Sequence, residues 1–180
     1  MIHPAPSRVT ITRAALSDRA ALVRANQESR AHHLPWAEPF TDDAGFDAWF
    51  ARSLLGPYVG LIAHEVPSAR IIGVVNINEI VLGAFQSAYL GYYGMAWCAG
   101  RGLMTAAVGL AVRYAFGTLG LHRVEANIQP GNARSIALVR RLGFAKEGFS
   151  PRYLRIGGEW RDHERWARLA DERGSVNAPS

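Results

Sequence analysis

The sequence has a single cysteine, Cys98, in 180 residues. An internal disulfide is therefore excluded, nothing requires an oxidising compartment, and a cytoplasmic location is expected. No apolar run reaches the roughly 18–20 residues that cross a bilayer as a helix, so no membrane is expected among the partners. Met1 to Pro6 carry no basic stretch leading into an apolar one, and no secretory signal is expected. Like charges never form a block, although 20 Lys and Arg against 15 Asp and Glu leave a net charge of +5. Scattered basic residues argue against a dedicated nucleic-acid module. Their excess suits an anionic partner such as a phosphate-rich cofactor, nucleic acid or a ribosomal surface, or serves solubility alone. No repeat or low-complexity linker divides the chain. With 49% hydrophobic residues, it has material for one core and one domain. That domain is expected over residues 8–170, between flexible segments at 1–7 and 171–180.

Apolar and polar residues alternate from Arg8 to Arg13, as in a strand. Ser17 can cap a first helix and Thr41 a second one carrying Phe46, Trp49, Phe50 and Leu54. His32 to Pro39 is a proline-punctuated loop between them. Tyr58 to Glu65 and Ile71 to Asn78 read as strands of a hairpin turning at Pro67-Ser68. Ser87 to Trp97 is an aromatic-rich strand, Leu103 to Phe116 a well-buried helix, and Leu121 to Ile128 a strand. Asn132 to Leu142 is a short helix with Gly143 at its C-terminal cap. Phe144 to Tyr153 and Glu159 to Leu169 are final strands, joined at Gly157-Gly158. The mixture predicts an α/β three-layer arrangement around a mixed sheet.

The most informative segment runs strand, then Ala99-Gly100-Arg101-Gly102-Leu103-Met104, then helix. A helix N-terminus presents unpaired N–H groups and the positive end of its dipole. Glycines let a phosphate approach the backbone closely. Such a turn holds a pyrophosphate on main-chain donors, with Arg101 available for a charge-assisted contact. A ligand-free tight turn is the alternative. The turn lacks the Gly-Lys-Ser/Thr of a P-loop. It also lacks the third glycine of a dinucleotide fingerprint, since Thr105 stands in its place. A second helix start, Pro130-Gly131-Asn132-Ala133-Arg134-Ser135, also follows a strand. Asn132 suits the cap, and the Ser135 hydroxyl can face a ligand held between the two helix starts or serve only as a cap.

The ordered set Leu90-Gly91-Tyr92, Gly100-Arg101-Gly102-Leu103-Met104, His122 to Asn127, Asn132-Ala133-Arg134-Ser135, Arg141-Leu142-Gly143-Phe144, Glu147-Gly148 and Gly158 to His163 resembles the GCN5-related N-acetyltransferase superfamily. Within it, ribosomal-protein alanine N-acetyltransferases are the most similar group. The resemblance covers roughly residues 8 to 170. It implies a mostly antiparallel sheet splayed between its fourth and fifth strands, with helices on both faces. It implies acetyl-CoA as cofactor, with pantetheine along Tyr92 to Ala96 and pyrophosphate on the N–H groups of Gly100 to Met104. Two positions depart from the usual pattern: Ala99 replaces an Arg or Gln, and Met104 a small residue.

Amine acetylation requires loss of the ammonium proton, stabilisation of an oxyanion and protonation of the departing thiolate. A backbone N–H among Gly94, Met95 and Ala96 can polarise the thioester carbonyl. Ser135 matches the position from which some relatives protonate the sulfur. The acidic residues that serve as base in related ribosomal enzymes correspond to Leu154 or Asn127 here. Glu79 is therefore the first candidate base and Glu125 the second, with a water chain through Asn127 as the alternative. Asp162 and His163 read as structural, and Tyr153, Trp36 and Phe85 are candidate acceptor contacts. The acceptor remains open between a protein N-terminus, such as that of a ribosomal protein, and a small amine (amino sugar, polyamine or amino acid). A non-catalytic acyl-CoA-binding or ribosome-associated module is the reading from another class. The protein is expected as a monomer or a homodimer.

Overall fold

The computed structural model describes residues 8–170, so the expectations for both termini lie outside the described residues. The elements run β1 (Val9–Arg13), α1 (Arg19–His33), α2 (Asp43–Leu55), β2 (Val59–Glu65), β3 (Ile71–Val81), β4 (Ser87–Gly94), α3 (Leu103–Gly117), β5 (Arg123–Ile128), α4 (Ala133–Arg141), β6 (Ala145–Ile156) and β7 (Glu159–Leu169). The strands form a seven-stranded sheet in the order β1-β2-β3-β4-β5-β7-β6. All neighbours are antiparallel except β4 and β5.

That parallel pair is short. Ser87, Ala88 and Tyr89 pair with Arg123, Val124 and Glu125, and then the strands separate while β4 continues to Gly94 and β5 to Ile128. The sheet is thus splayed between its fourth and fifth strands. Helices cover both faces. Val75, Ile77, Ala88, Leu90, Val124, Ala126 and Ile128 pack with α3 and α4 residues such as Val108, Val112, Leu138 and Val139. Ile62, Ile72 and Val74 pack with Leu22, Val23 and Phe46 from α1 and α2. Leu103 and Ala107, in the first turns of α3, join this second core.

Local differences from the sequence reading have local causes. Ser17 lies inside a 3-10 turn, Leu16–Asp18, closed by the Asp18 carboxylate accepting from Ala15 N–H at 2.8 Å. Asp42, not Thr41, caps α2, its side chain accepting from Gly45 N–H at 2.7 Å. His32 and His33 belong to α1 rather than to the following loop. The fourth strand ends at Gly94 instead of Trp97, because Ala96 N–H donates to Ser29 Oγ at 3.1 Å and a 3-10 turn follows at Ala96–Cys98.

Candidate active site

The gap between β4 and β5 opens into a cleft of about 1710 Å³, lined from Trp36, Glu38 and Phe40 at one end to Gly100–Gly102, Met104 and Thr105 at the other. A pocket for one small ligand is roughly 300–1,000 Å³. This cleft therefore has room for a long cofactor and an acceptor together.

One wall is the free edge of β4. Met95 N–H donates to Ile72 O at 2.7 Å, which fixes the alternation of the β3–β4 ladder. Met95, Tyr93 and Gly91 turn their main-chain groups toward β3, and Leu90, Tyr92 and Gly94 turn theirs toward the missing neighbour. Amide groups of an extended ligand can pair there.

The glycine turn closes one end. Gly100 and Gly102 have φ of +77° and +73°, and no protein atom lies within 4 Å of where a Cβ would stand on either. Gly102 is the N-cap of α3, and its carbonyl accepts the first helical bond, from Ala106 N–H at 3.2 Å. The preceding N–H groups of α3 have no helical acceptor and face the cleft end, where a phosphate replaces the missing partners. Two expected contributors are otherwise engaged. Arg101 N–H donates to Cys98 O at 3.3 Å, and its guanidinium pairs with Glu65 Oε1 at 2.8 Å beside the Trp97 ring. Met104 brings a long side chain where the family resemblance implies a small one. It fits because Gly73 and Gly94 lack Cβ atoms, which would stand 2.6 Å from Met104 Sδ and Cγ respectively.

At the second helix start, Asn132 Oδ1 accepts from Ser135 N–H at 3.1 Å. Asn132 is thus the cap, and the Ser135 hydroxyl is released for other work. It lies 2.6 Å from Tyr92 Oη. Burial raises the Tyr92 hydroxyl to about 12, with the Ser135 contact acting in the opposite direction. Tyr92 therefore stays protonated at neutral pH.

Among Gly94, Met95 and Ala96, the expected oxyanion donors, two N–H groups are committed: Met95 to Ile72 O and Ala96 to Ser29 Oγ. Among the described residues, Gly94 N–H alone of the three has no partner. The Gly94 carbonyl accepts from His33 Nε2 at 3.0 Å.

The two candidate bases separate. Glu79 lines the cleft, exposed at the end of β3 in a left-handed conformation with φ of +50°. Glu125 is ion-paired with Arg123 at 2.7 Å, and Arg123 also holds Glu147; Glu125 does not line the cleft. Asn127 Oδ1 is buried without a protein partner, and Asn127 lines the cleft. Trp36 and Tyr153 line it too, whereas Phe85 is 57% exposed outside it. His163 is buried against Tyr153, and its Nδ1–H donates to Arg161 O at 2.9 Å. Burial lowers its pKa. Sequence reading missed His33, Ser29 and the Tyr92 hydroxyl. The signal for the first two was polar spacing along α1, which looks the same on a solvated helix face.

Cys98 is not a nucleophile for an acyl-enzyme. It is buried, with Sγ directed at Ile72 O (3.3 Å) and Met95 O (3.2 Å), and burial raises its pKa. Among the described residues, no helix is long and apolar enough to cross a membrane, and no cluster of metal-ligating side chains occurs.

Comparison with known proteins agrees with this geometry. The model of the acetyltransferase (GNAT) domain matches residues 8–145. The ribosomal protein uS5-alanine N-acetyltransferase of Escherichia coli is 41% identical over 150 residues, which span 76% of this chain and 74% of that one. Among solved structures, Mycobacterium smegmatis RimJ in complex with CoA-disulfide superposes with a TM-score of 0.83 at 28% identity, covering 91% of this chain and 83% of that one. The ribosomal-protein-S5-alanine acetyltransferase of Vibrio fischeri gives 0.80 at 27% identity, covering 92% and 95%. The chain belongs to the GNAT acetyltransferase family and is an acetyl-CoA-dependent N-acetyltransferase.

Proposed function

We propose that the acceptor is the N-terminal amine of a protein, with a ribosomal protein as the substrate class and a passing association with the ribosome or its newly made subunits as the setting. The observation that carries this reading is the 41% identity to a ribosomal protein uS5-alanine N-acetyltransferase, shared over most of both chains. The shape of the acceptor end supports it. Trp36, Phe40, Tyr153 and Leu154 line an open-mouthed end of the cleft, and Glu38 and Glu79 are the carboxylates among its lining residues. An extended peptide can enter with its cationic terminus first.

Acetyl-CoA, when bound, supplies the acetyl thioester. The open glycines and the unpaired edge of β4 fit its pyrophosphate and its amides. Gly94 N–H faces the gap and stabilises negative charge on the carbonyl oxygen. Asn127 Oδ1, an acceptor without a protein partner, orients the incoming amine, and Glu79 takes the proton through water. Tyr92 O–H donates to Ser135 Oγ, leaving the Ser135 proton directed at the departing sulfur.

The test of the acceptor is mass spectrometry of two peptides offered with acetyl-CoA. Both begin with Ala and contain an internal Lys, and one is blocked at its α-amine. Acetylation of the open peptide at its terminus alone supports the reading. Equal modification of both peptides, or preference for a polyamine or amino sugar in competition, contradicts it.

A further inference from the structure

Five polar residues of the described chain are buried: Asn26, Ser29, His33, Ser87 and His163. Three of them stand on α1 at positions i, i+3 and i+7, one stripe of the helix. All three reach the same short segment of β4 and the turn after it. Asn26 Nδ2 donates to Phe40 O at 2.9 Å and lies 3.4 Å from Tyr93 Oη. Ser29 Oγ accepts from Ala96 N–H at 3.1 Å. His33 Nε2 donates to Gly94 O at 3.0 Å, with the His33 ring edge-on to Tyr93 at 5.0 Å.

Burying three polar side chains under a sheet costs free energy that an apolar stripe would not. Their partners explain the expense. They bind Tyr93 and the main chain on either side of Met95, where β4 has left β5 and β3 alone holds it, on one side. A strand with a ladder partner on one side only is less restrained than one held on both. Here a helix supplies the lost restraint. We infer that the polar stripe of α1, with His33 at its C-terminal end, is a positioning device: by holding the carbonyl of the Gly94–Met95 peptide it pins the Gly94 Cα, so that the adjoining Tyr93–Gly94 peptide keeps Gly94 N–H, the unpaired donor at the splay, aimed at the reacting carbonyl. This rests on the oxyanion role given to Gly94 above.

The donor identity is settled by chemistry. A carbonyl oxygen only accepts, so His33 carries its proton on Nε2, and Nδ1 is the buried atom without a partner. Burial lowers the His33 pKa against the opposing pull of the Gly94 carbonyl, and His32 beside it acts in the same direction as burial. The Tyr93 ring packs edge-on to the His33 ring, Glu38 of the adjoining loop lines two cavities with it, and Arg30 lines one of them. His33 acts through Gly94 and is not itself assigned a proton-transfer step. Glutamine in its place keeps an N–H donor at the position of Nε2 and removes the imidazole base. Alanine removes both.

The test uses the full chain, wild type, H33A and H33Q, in three measurements. Nitrogen-15 NMR of the ligand-free protein reads the His33 tautomer. The infrared frequency of [1-13C]acetyl-CoA bound to the protein reads carbonyl polarisation. Steady-state kinetics with an Ala-initiated peptide reads kcat against KM. The expected result is the Nε2–H tautomer and a lowered carbonyl frequency in the wild type. H33A loses the frequency shift and about tenfold to a hundredfold in kcat with KM for acetyl-CoA little changed, and H33Q recovers most of both. A frequency shift that survives in H33A overturns the positioning role while leaving acetyl-CoA binding intact. H33Q as damaged as H33A, though folded, overturns it in favour of a proton-accepting Nδ1. Failure of the wild type to bind acetyl-CoA at all removes the cofactor reading and this inference with it.

Discussion

Tyr92 Oη and Ser135 Oγ lie 2.6 Å apart, one on the splayed edge of β4 and the other in the first turn of α4. The contact joins the two elements that bound the cofactor half of the cleft. Because Asn132 already caps α4, the Ser135 hydroxyl is not needed to hold the helix. Ser135→Ala is therefore expected to lower kcat about a hundredfold while the dissociation constant for acetyl-CoA, read by calorimetry, changes little. Tyr92→Phe should cost less, about tenfold, and the double variant should be no worse than Ser135→Ala alone. Additive losses would show two independent roles.

Gly102 tests the phosphate turn. A β-branched side chain at φ +73° carries a backbone cost of about 1–2 kcal/mol. The protein itself leaves the space open, since no atom lies within 4 Å of the added Cβ. Gly102→Val should fold, melt a few degrees lower and lose acetyl-CoA binding. Unchanged affinity would refute the assignment.

Arg101 tests whether the turn works through side chain or main chain. Its guanidinium is held by Glu65, a partly exposed pair worth about 0–1 kcal/mol. Arg101→Ala should leave acetyl-CoA affinity within about threefold, measured at two salt concentrations. A large loss that grows at low salt would show that Arg101 leaves Glu65 to bind phosphate.

The two carboxylates proposed as bases make opposite predictions. Glu79→Gln should reduce kcat/KM for the amine about a hundredfold with little change in melting temperature. Glu125→Gln should leave turnover nearly intact and lower the melting temperature, because it breaks the pair with Arg123. The reverse pattern would place the base at Glu125.

His33 and His163 also set a pH dependence of stability. Burial depresses both pKa values in the folded chain. Below the unfolded value of about 6.5, the unfolded chain binds protons that the folded chain refuses, so stability falls as pH falls. Melting temperature should therefore decline from pH 7 to pH 5, above the range in which carboxylates titrate. The decline should flatten in His163→Gln. A melting curve insensitive to pH in that window would show that both rings accept protons without opening the fold.

Much of this was legible in the sequence, for identifiable reasons. Gly100 and Gly102 announced a left-handed strand-to-helix turn because residues without a Cβ take those backbone angles at little cost. Asn132 announced α4 because capping chemistry is local. The splay was carried by resemblance rather than by periodicity, since strand pairing is a long-range choice that alternation does not record. The same limit hid the site's polar scaffold. Asn26, Ser29 and His33 are spaced as on a solvated helix face, and only the packing of α1 against the end of β4 shows that they point inward. Glu125 had the right chemistry and the right strand. Its neighbour two residues back, Arg123, claims it on a face that the sequence alone could not separate from the cleft.

The central claim is direct acetyl transfer to a protein's terminal amine, and free-thiol release from acetyl-CoA with an Ala-initiated peptide tests it most directly. The account predicts release that depends on both peptide and protein, matches the peptide acetylated and leaves no acetyl group on the protein. Peptide-dependent release that is absent, or replaced by release with small amines alone, would contradict it.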